Sequence, residues 1–185
     1  MSVKIICLHG PESTGKSTLG AALAQHFDAE LVTEYGRDWC AEHGADTSMA
    51  DLVAIAETHG ALIEDAVARA DAAGRKWLIL DTDPVMTAVW AQMLYGQQDP
   101  VLAARGRTAD LYLVPDIDLP WVADGLRYLG APEERSRFMT LSVAELEARS
   151  LAYAVVRGDG ASRLEVALAA IAAHLDPAPT AGALR

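Results

Sequence analysis

The chain has 185 residues, 51% of them hydrophobic, which suits one well-buried core and is short for two. Its 26 acidic residues against 15 Lys and Arg leave a net charge of −11. No run of basic residues offsets that field, so a general nucleic-acid binder is disfavoured, while a small anion held by local amides and a few placed cations is not.

Residues 3–8 (VKIICL) form a nearly continuous apolar run with β-branched members, the pattern of a parallel strand covered on both faces. Residues 10–17 are glycine-rich, and from 17 to 27 the positions Leu19, Leu23 and Phe27 recur every fourth residue, as in a helix. A second strand is expected at 31–34 and a short helix at 37–43, stopped by Gly44. Ser48 is placed to cap a long helix reaching about residue 73, with Leu52, Ile55, His59, Leu62, Ala66 and Ala70 on its buried stripe. His59 on such a stripe reads as a core histidine, and it is assigned no chemistry.

"KWLILDTD" repeats the logic of the first strand, and "LYLVP" and "LAYAVVRG" are two more such runs. A helix starting near Pro132 and a final Ala-rich helix over about 162–174 complete the pattern. Strands alternating with helices argue for an α/β fold, three-layer α/β/α, with a mostly parallel sheet of about five strands and a small helical lid. Ligands in such sheets gather at the carboxyl ends of the strands. Residues 1–175 read as a single domain, and "DPAPTAGALR" (176–185) as a flexible tail. No apolar stretch approaches the roughly 20 residues that span a bilayer, and no signal-peptide pattern opens the chain, so a cytoplasmic protein without a membrane partner is expected. Cys7 and Cys40 lack metal-ligand or CxxC spacing and read as packing residues.

Residues 10–17 (GPESTGKS) satisfy GxxxxGK[ST]. Gly10 and Gly15 let the backbone curl so that the amides of Glu12, Ser13, Thr14 and their neighbours point at phosphate oxygens. Lys16 brings a mobile positive charge to the β- and γ-phosphates, and the Ser17 hydroxyl is a Mg²⁺ ligand. Asp81, closing an apolar strand, is the carboxylate that such a fold needs beside Ser17 for the magnesium shell. Asp83, two residues on, is a candidate to orient or deprotonate an acceptor hydroxyl, or else a plain helix cap ahead of Pro84. "TEYGRDW" brings Glu34 and Arg37 to the same edge of the sheet, so Glu34 is the second candidate, with a surface salt bridge to Arg37 as the bland alternative. Arg127, Arg135 and Arg137 flank a glycine and a helix start, as a lid closing on a transferring phosphate would require. An ordinary solvated helix face is the alternative.

Taken in order, "GPESTGKST", "EYGR", "DTD" followed by "TAVWAQMLYG", and "WVADGLRYLG" resemble the ribosylnicotinamide kinase domain of the NadR-type NAD-biosynthesis proteins, within the P-loop kinase superfamily. The resemblance reaches about residue 157. It implies that ATP phosphorylates the 5′-hydroxyl of nicotinamide riboside to give nicotinamide mononucleotide. It would put the ATP phosphates on Gly15, Lys16, Ser17 and Thr18, Mg²⁺ near Ser17 and Asp81, and the riboside against Glu34, Asp83 and Asp124, with Arg127 and Arg135 serving phosphates. A cationic pyridinium favours an aromatic face and nearby carboxylates, so one or two of Tyr35, Trp39, Trp90 and Trp121 are expected to touch it. Full-length members can add a DNA-binding segment and an adenylyltransferase domain. Neither has room here, so repression and onward synthesis of NAD are not expected of this polypeptide. Two other functions stay open at this point: a kinase for another nucleoside or nucleotide, and a nucleotide-dependent ATPase or switch module.

Overall fold

A computed structural model describes residues 2–104, 106–123 and 129–175. Strand β1 (Lys4–Leu8) leads through the glycine-rich loop into helix α1 (Lys16–Phe27), and then come β2 (Glu30–Val32), α2 (Tyr35–His43) and the long α3 (Met49–Ala72). β3 (Trp77–Asp81), α4 (Pro84–Tyr95), the one-turn α5 (Pro100–Ala103), β4 (Leu111–Pro115), α6 (Pro132–Ala148), β5 (Tyr153–Val156) and α7 (Gly160–Leu175) follow. The strands form one parallel sheet in the order β2-β3-β1-β4-β5. The order reverses around β1, so the loop after β1 opens at the switch point, where a crevice forms outside the strand ends.

Alternation along the strands explains why both faces are covered. Ile6, Leu8, Ile79, Leu111 and Leu113 pack with Leu19 and Leu23 of α1 and Ala167 and Ile171 of α7. Ile5, Cys7, Leu78, Leu80 and Val114 turn the other way, toward Ile63 and Ala66 of α3, Val85 of α4 and Leu146 of α6. Successive residues of a strand point to opposite faces, so an unbroken apolar run is what a two-faced strand requires.

Ser48 caps α3 as expected: its hydroxyl accepts from Asp51 N at 3.2 Å, and Asp51 Oδ2 accepts from Ser48 N at 2.8 Å. Ile63, not Leu62, continues the buried stripe, and Leu62 is exposed. A helix turns about 100° per residue, so the 52-55-59-63-66-70 spacing keeps one face and Leu62 falls off it. The second strand ends at Val32, earlier than expected, and α2 begins at Tyr35 with Glu34 as its N-cap. Among the described residues no helix is long and apolar enough to cross a membrane. The expected tail, 176–185, lies outside the described residues.

Candidate active site

The loop between β1 and α1 is held from outside. Gly10 (φ +124°) and Gly15 (φ +78°) adopt backbone conformations that a side chain would strain, and a Cβ on Gly15 would stand 3.3 Å from Leu119 Cδ1. The loop's carbonyls are taken one by one. Lys16 Nζ donates to Gly10 O (3.0 Å) and Pro11 O (2.9 Å), and Thr14 Oγ1 donates to Pro11 O (2.9 Å). Arg135 Nη2 donates to Ser13 O (3.4 Å) and Leu119 O (3.1 Å). Arg163, almost wholly buried, donates through Nη1 to Thr14 O and through Nε to Gly158 O (2.6 Å), and its Nη2 pairs with Asp118. Tying the carbonyls outward leaves the amide side of the loop for an anion, at the start of a 12-residue helix whose dipole favours negative charge.

The three carboxylates at the strand ends divide into distinct roles. Asp81, paired in register with Leu8, is buried, and its Oδ1 has no hydrogen-bond partner. Asp83 is also buried, but both of its oxygens are used. Oδ1 accepts from Val85 N at 3.0 Å as the N-cap of α4, and Oδ2 accepts from Tyr112 Oη at 2.6 Å. Burial pushes the Asp83 carboxyl up to about 6 against the pull of those bonds. Glu34 caps α2 without a side-chain cap bond and lines the cleft. Burial raises its pKa, Lys16 and Arg37 pull it back, and Asp81 and Glu12 push it further up.

Beyond the loop the cleft continues into a chamber of α2, α3 and α4, and the loop and chamber together enclose a cavity of about 190 Å³. Its walls include Arg37 and Cys40 from α2, Leu52, Ile55 and His59 from α3, and Met86, Thr87 and Trp90 from α4, with Thr47 and Thr82 between elements. Phosphate loop and chamber thus form one cavity, with Glu34 and Lys16 both in its wall.

Several residues singled out in the sequence meet here: Glu12, Ser13, Thr14, Gly15, Lys16, Ser17, Thr18, Glu34, Arg37 and Trp90 all line the cleft. Others do not. Asp83 is spent on the α4 cap and Tyr112, so the plainer cap reading holds for its geometry. Tyr35 starts α2 outside the lining, Trp39 stacks on His43, and Trp121 packs beside Gly130. Arg135 faces the loop's carbonyl side from the buried face of α6, alongside Phe138, Ser142 and Leu146, while Glu133, Glu134 and Arg137 lie on the helix's exposed face. Asp124 and Arg127 lie outside the described residues. Sequence reasoning missed Cys40, expected only to pack, and His59, Thr47, Thr82 and Thr87. A stripe facing the sheet and a stripe facing a cleft share one periodicity, so the spacing of Leu52, Ile55 and His59 carried no sign of the chamber.

A parallel sheet with a phosphate loop at its switch point, a strand-end carboxylate beside it and a chamber bearing Glu34 opening from it define a P-loop nucleotide-binding protein. The family model for the AAA domain (AAA_28) matches residues 5–163, and the chain belongs to that family. It is 35% identical over 157 residues to the trifunctional NAD biosynthesis/regulator protein NadR of Escherichia coli (strain K12), covering 82% of this chain and 37% of that protein. The counterpart from Salmonella typhimurium is 34% identical over 84% of this chain and 38% of its own length. The chain therefore spans well under half of these curated relatives. A crystal structure of NadR protein in complex with NR superimposes with a TM-score of 0.73 at 22% identity, covering 94% of this chain and 50% of that one. Thymidylate kinase from Ehrlichia chaffeensis shares the fold across nearly its whole length (TM-score 0.66, 15% identity, 94% and 99% coverage).

Proposed function

We propose that this chain transfers the γ-phosphoryl group of ATP to the 5′-hydroxyl of nicotinamide riboside, giving nicotinamide mononucleotide and ADP. The observation that carries the proposal is the single cavity in which Lys16 of the phosphate loop and Glu34 of the chamber share a wall, with Trp90 further in. The kinship to NadR supports it, since one solved NadR protein holds NR and another holds NAD and AMP-PNP, a non-hydrolysable analogue of ATP. The kinase unit is proposed to span residues 1–175.

The roles follow from charge and reach. Gly15, Lys16, Ser17 and Thr18 cradle the β- and γ-phosphates. Lys16 then exchanges its contacts with Gly10 and Pro11 carbonyls for a phosphate oxygen, where its charge counts most as the transition state forms. Glu34 orients the acceptor hydroxyl and takes its proton, and the burial that raises its pKa brings it closer to a working general base. The Trp90 ring offers an aromatic face to the cationic pyridinium, and the acidic edge attracts it.

The residues present also fit a magnesium ion. Asp81 has a buried oxygen without a partner at the strand end, and Ser17 supplies a hydroxyl in the first turn of α1. This is the sparse oxygen set that Mg²⁺ takes when substrate phosphates and water complete its shell. When bound, the ion neutralises phosphate charge.

The test is a ranking of kcat/KM for Mg-ATP with nicotinamide riboside, common nucleosides, deoxynucleosides and nucleoside monophosphates, read by ADP release and product mass. Nicotinamide riboside at the top is the expected result. Another nucleoside at the top would reassign the acceptor, and ADP release unstimulated by any acceptor would point to an ATPase or switch.

A further inference from the structure

His59 has one more property that the nucleotide chemistry does not use. It lies on the chamber wall one turn beyond Ile55, is 1% exposed, and its Nε2 has no hydrogen-bond partner. Buried polar groups in folded proteins are almost always paired, and leaving one unpaired costs stability, so an orphan nitrogen on the wall of a ligand cavity calls for a partner from the ligand. We propose that His59 is a specificity-determining residue of the acceptor chamber, whose Nε2 hydrogen-bonds an uncharged polar group of the bound acceptor.

This rests on the nucleoside-kinase reading and deepens it. The ring is held neutral: burial lowers its pKa to about 4, only partly opposed by the Asp81 carboxylate nearby. A neutral imidazole donates or accepts at Nε2 according to its tautomer, so it can pair with a hydroxyl or with either end of a carboxamide. It brings no positive charge to a carboxylate. Nicotinamide riboside carries two kinds of group that suit the site, the ring carboxamide and the ribose hydroxyls. Its nicotinic acid counterpart carries a carboxylate where the carboxamide stands.

The experiment compares wild type with His59→Leu and His59→Gln, using Mg-ATP and either of these two ribosides, with Tm measured for each protein. His59→Leu removes a buried nitrogen that has no partner in the protein, so Tm is expected to hold or rise. The KM for ATP is expected to stay put, while KM for nicotinamide riboside rises about 10- to 100-fold, the usual result of leaving a ligand's polar group unpaired. His59→Gln, which keeps a donor and an acceptor, recovers part of that loss. If the leucine variant also erases a wild-type preference for the amide over the acid, the carboxamide is the partner. If both ribosides weaken together and the preference survives, the partner is a ribose hydroxyl. A folded His59→Leu with unchanged acceptor KM overturns the proposal, and His59→Phe, which keeps an aromatic ring without the nitrogen, provides the same comparison should leucine fail to fold. Failure of wild type to phosphorylate nicotinamide riboside is a separate result that sinks the functional reading alone. The variants are then measured on whichever nucleoside the ranking identifies, and an unchanged KM there overturns the role of His59.

Discussion

The two ends of the cleft are built on opposite plans. At the phosphate end the loop's carbonyls are tied down: Lys16, Thr14, Arg135 and Arg163 take them, and the Ser13 hydroxyl accepts from Val122 N at 3.0 Å. At the acceptor end a polar group is left waiting, with His59 Nε2 buried and unpartnered and the Glu34 carboxyl raised by burial, while Asp81 Oδ1, also unpartnered, stands at the strand end beside Ser17. The difference shows where each end finds its partners. The backbone of a phosphate loop is organised before the nucleotide arrives, because amides already aimed at an anion cost no reorganisation during the reaction, and here Lys16 alone has to turn from carbonyls to phosphate. The acceptor chamber stores unmet hydrogen-bonding capacity that only a matching acceptor satisfies, which is how a site discriminates among small molecules.

The contrast can be broken most sharply at Lys16. Lys16→Ala is expected to lower kcat by about 10³-fold with Tm little changed, since the lysine acts on developing phosphate charge. Wild-type turnover in that variant would remove the phosphate role of the loop. Next comes Glu34→Gln, expected to cost about 10²-fold in kcat, the usual scale of a general base. A loss in ATP KM alone would move Glu34 to the phosphate end.

The third prediction concerns a buried histidine outside the lining of the cleft. His9, fully buried, packs edge-on against Tyr112 at 5.6 Å, and burial, helped by the Lys16 charge and only partly opposed by the Ser142 backbone, lowers its pKa to about 3. The folded-state value is depressed, so its contribution to stability is full above the unfolded value near 6.5 and is lost as pH falls toward 3. Between pH 6.5 and 5 that loss is about 2 kcal/mol. Urea unfolding at the two pH values should show it in wild type and show less of it in His9→Phe, and equal pH dependence in the two proteins would contradict the assignment. Smallest is Asp83→Asn, expected to lower kcat by less than about tenfold, because an asparagine can still cap α4 and meet Tyr112. A loss rivalling that of Glu34→Gln would restore Asp83 to the reacting group.

Much of this was legible in the sequence, for identifiable reasons. The sheet announced itself because strands buried on both faces read as unbroken apolar runs, and the phosphate loop because its glycines, lysine and serine have fixed spacing. Ser48 was readable as a cap since capping needs only local geometry. The chamber was harder: Glu34 and Asp83 were equivalent as carboxylates after strands, and it takes the cap bond of Asp83 to Val85 N and its pairing with Tyr112, 29 residues away, to separate them. Arg163 was invisible as a buttress for the same reason, its contact with Thr14 spanning 149 residues. Helical periodicity cannot say whether a buried stripe meets a neighbouring helix or an open cavity, and so His59 passed for core.

The central claim is that phosphate leaves one end of this cleft and arrives on a riboside at the other. The measurement that tests it most directly is ³¹P NMR with mass analysis of the wild-type reaction of Mg-ATP and nicotinamide riboside. The account predicts a monophosphate whose phosphorus couples to the two 5′ protons, formed in equal amount with ADP. ADP accumulating while the riboside stays unmodified would contradict it.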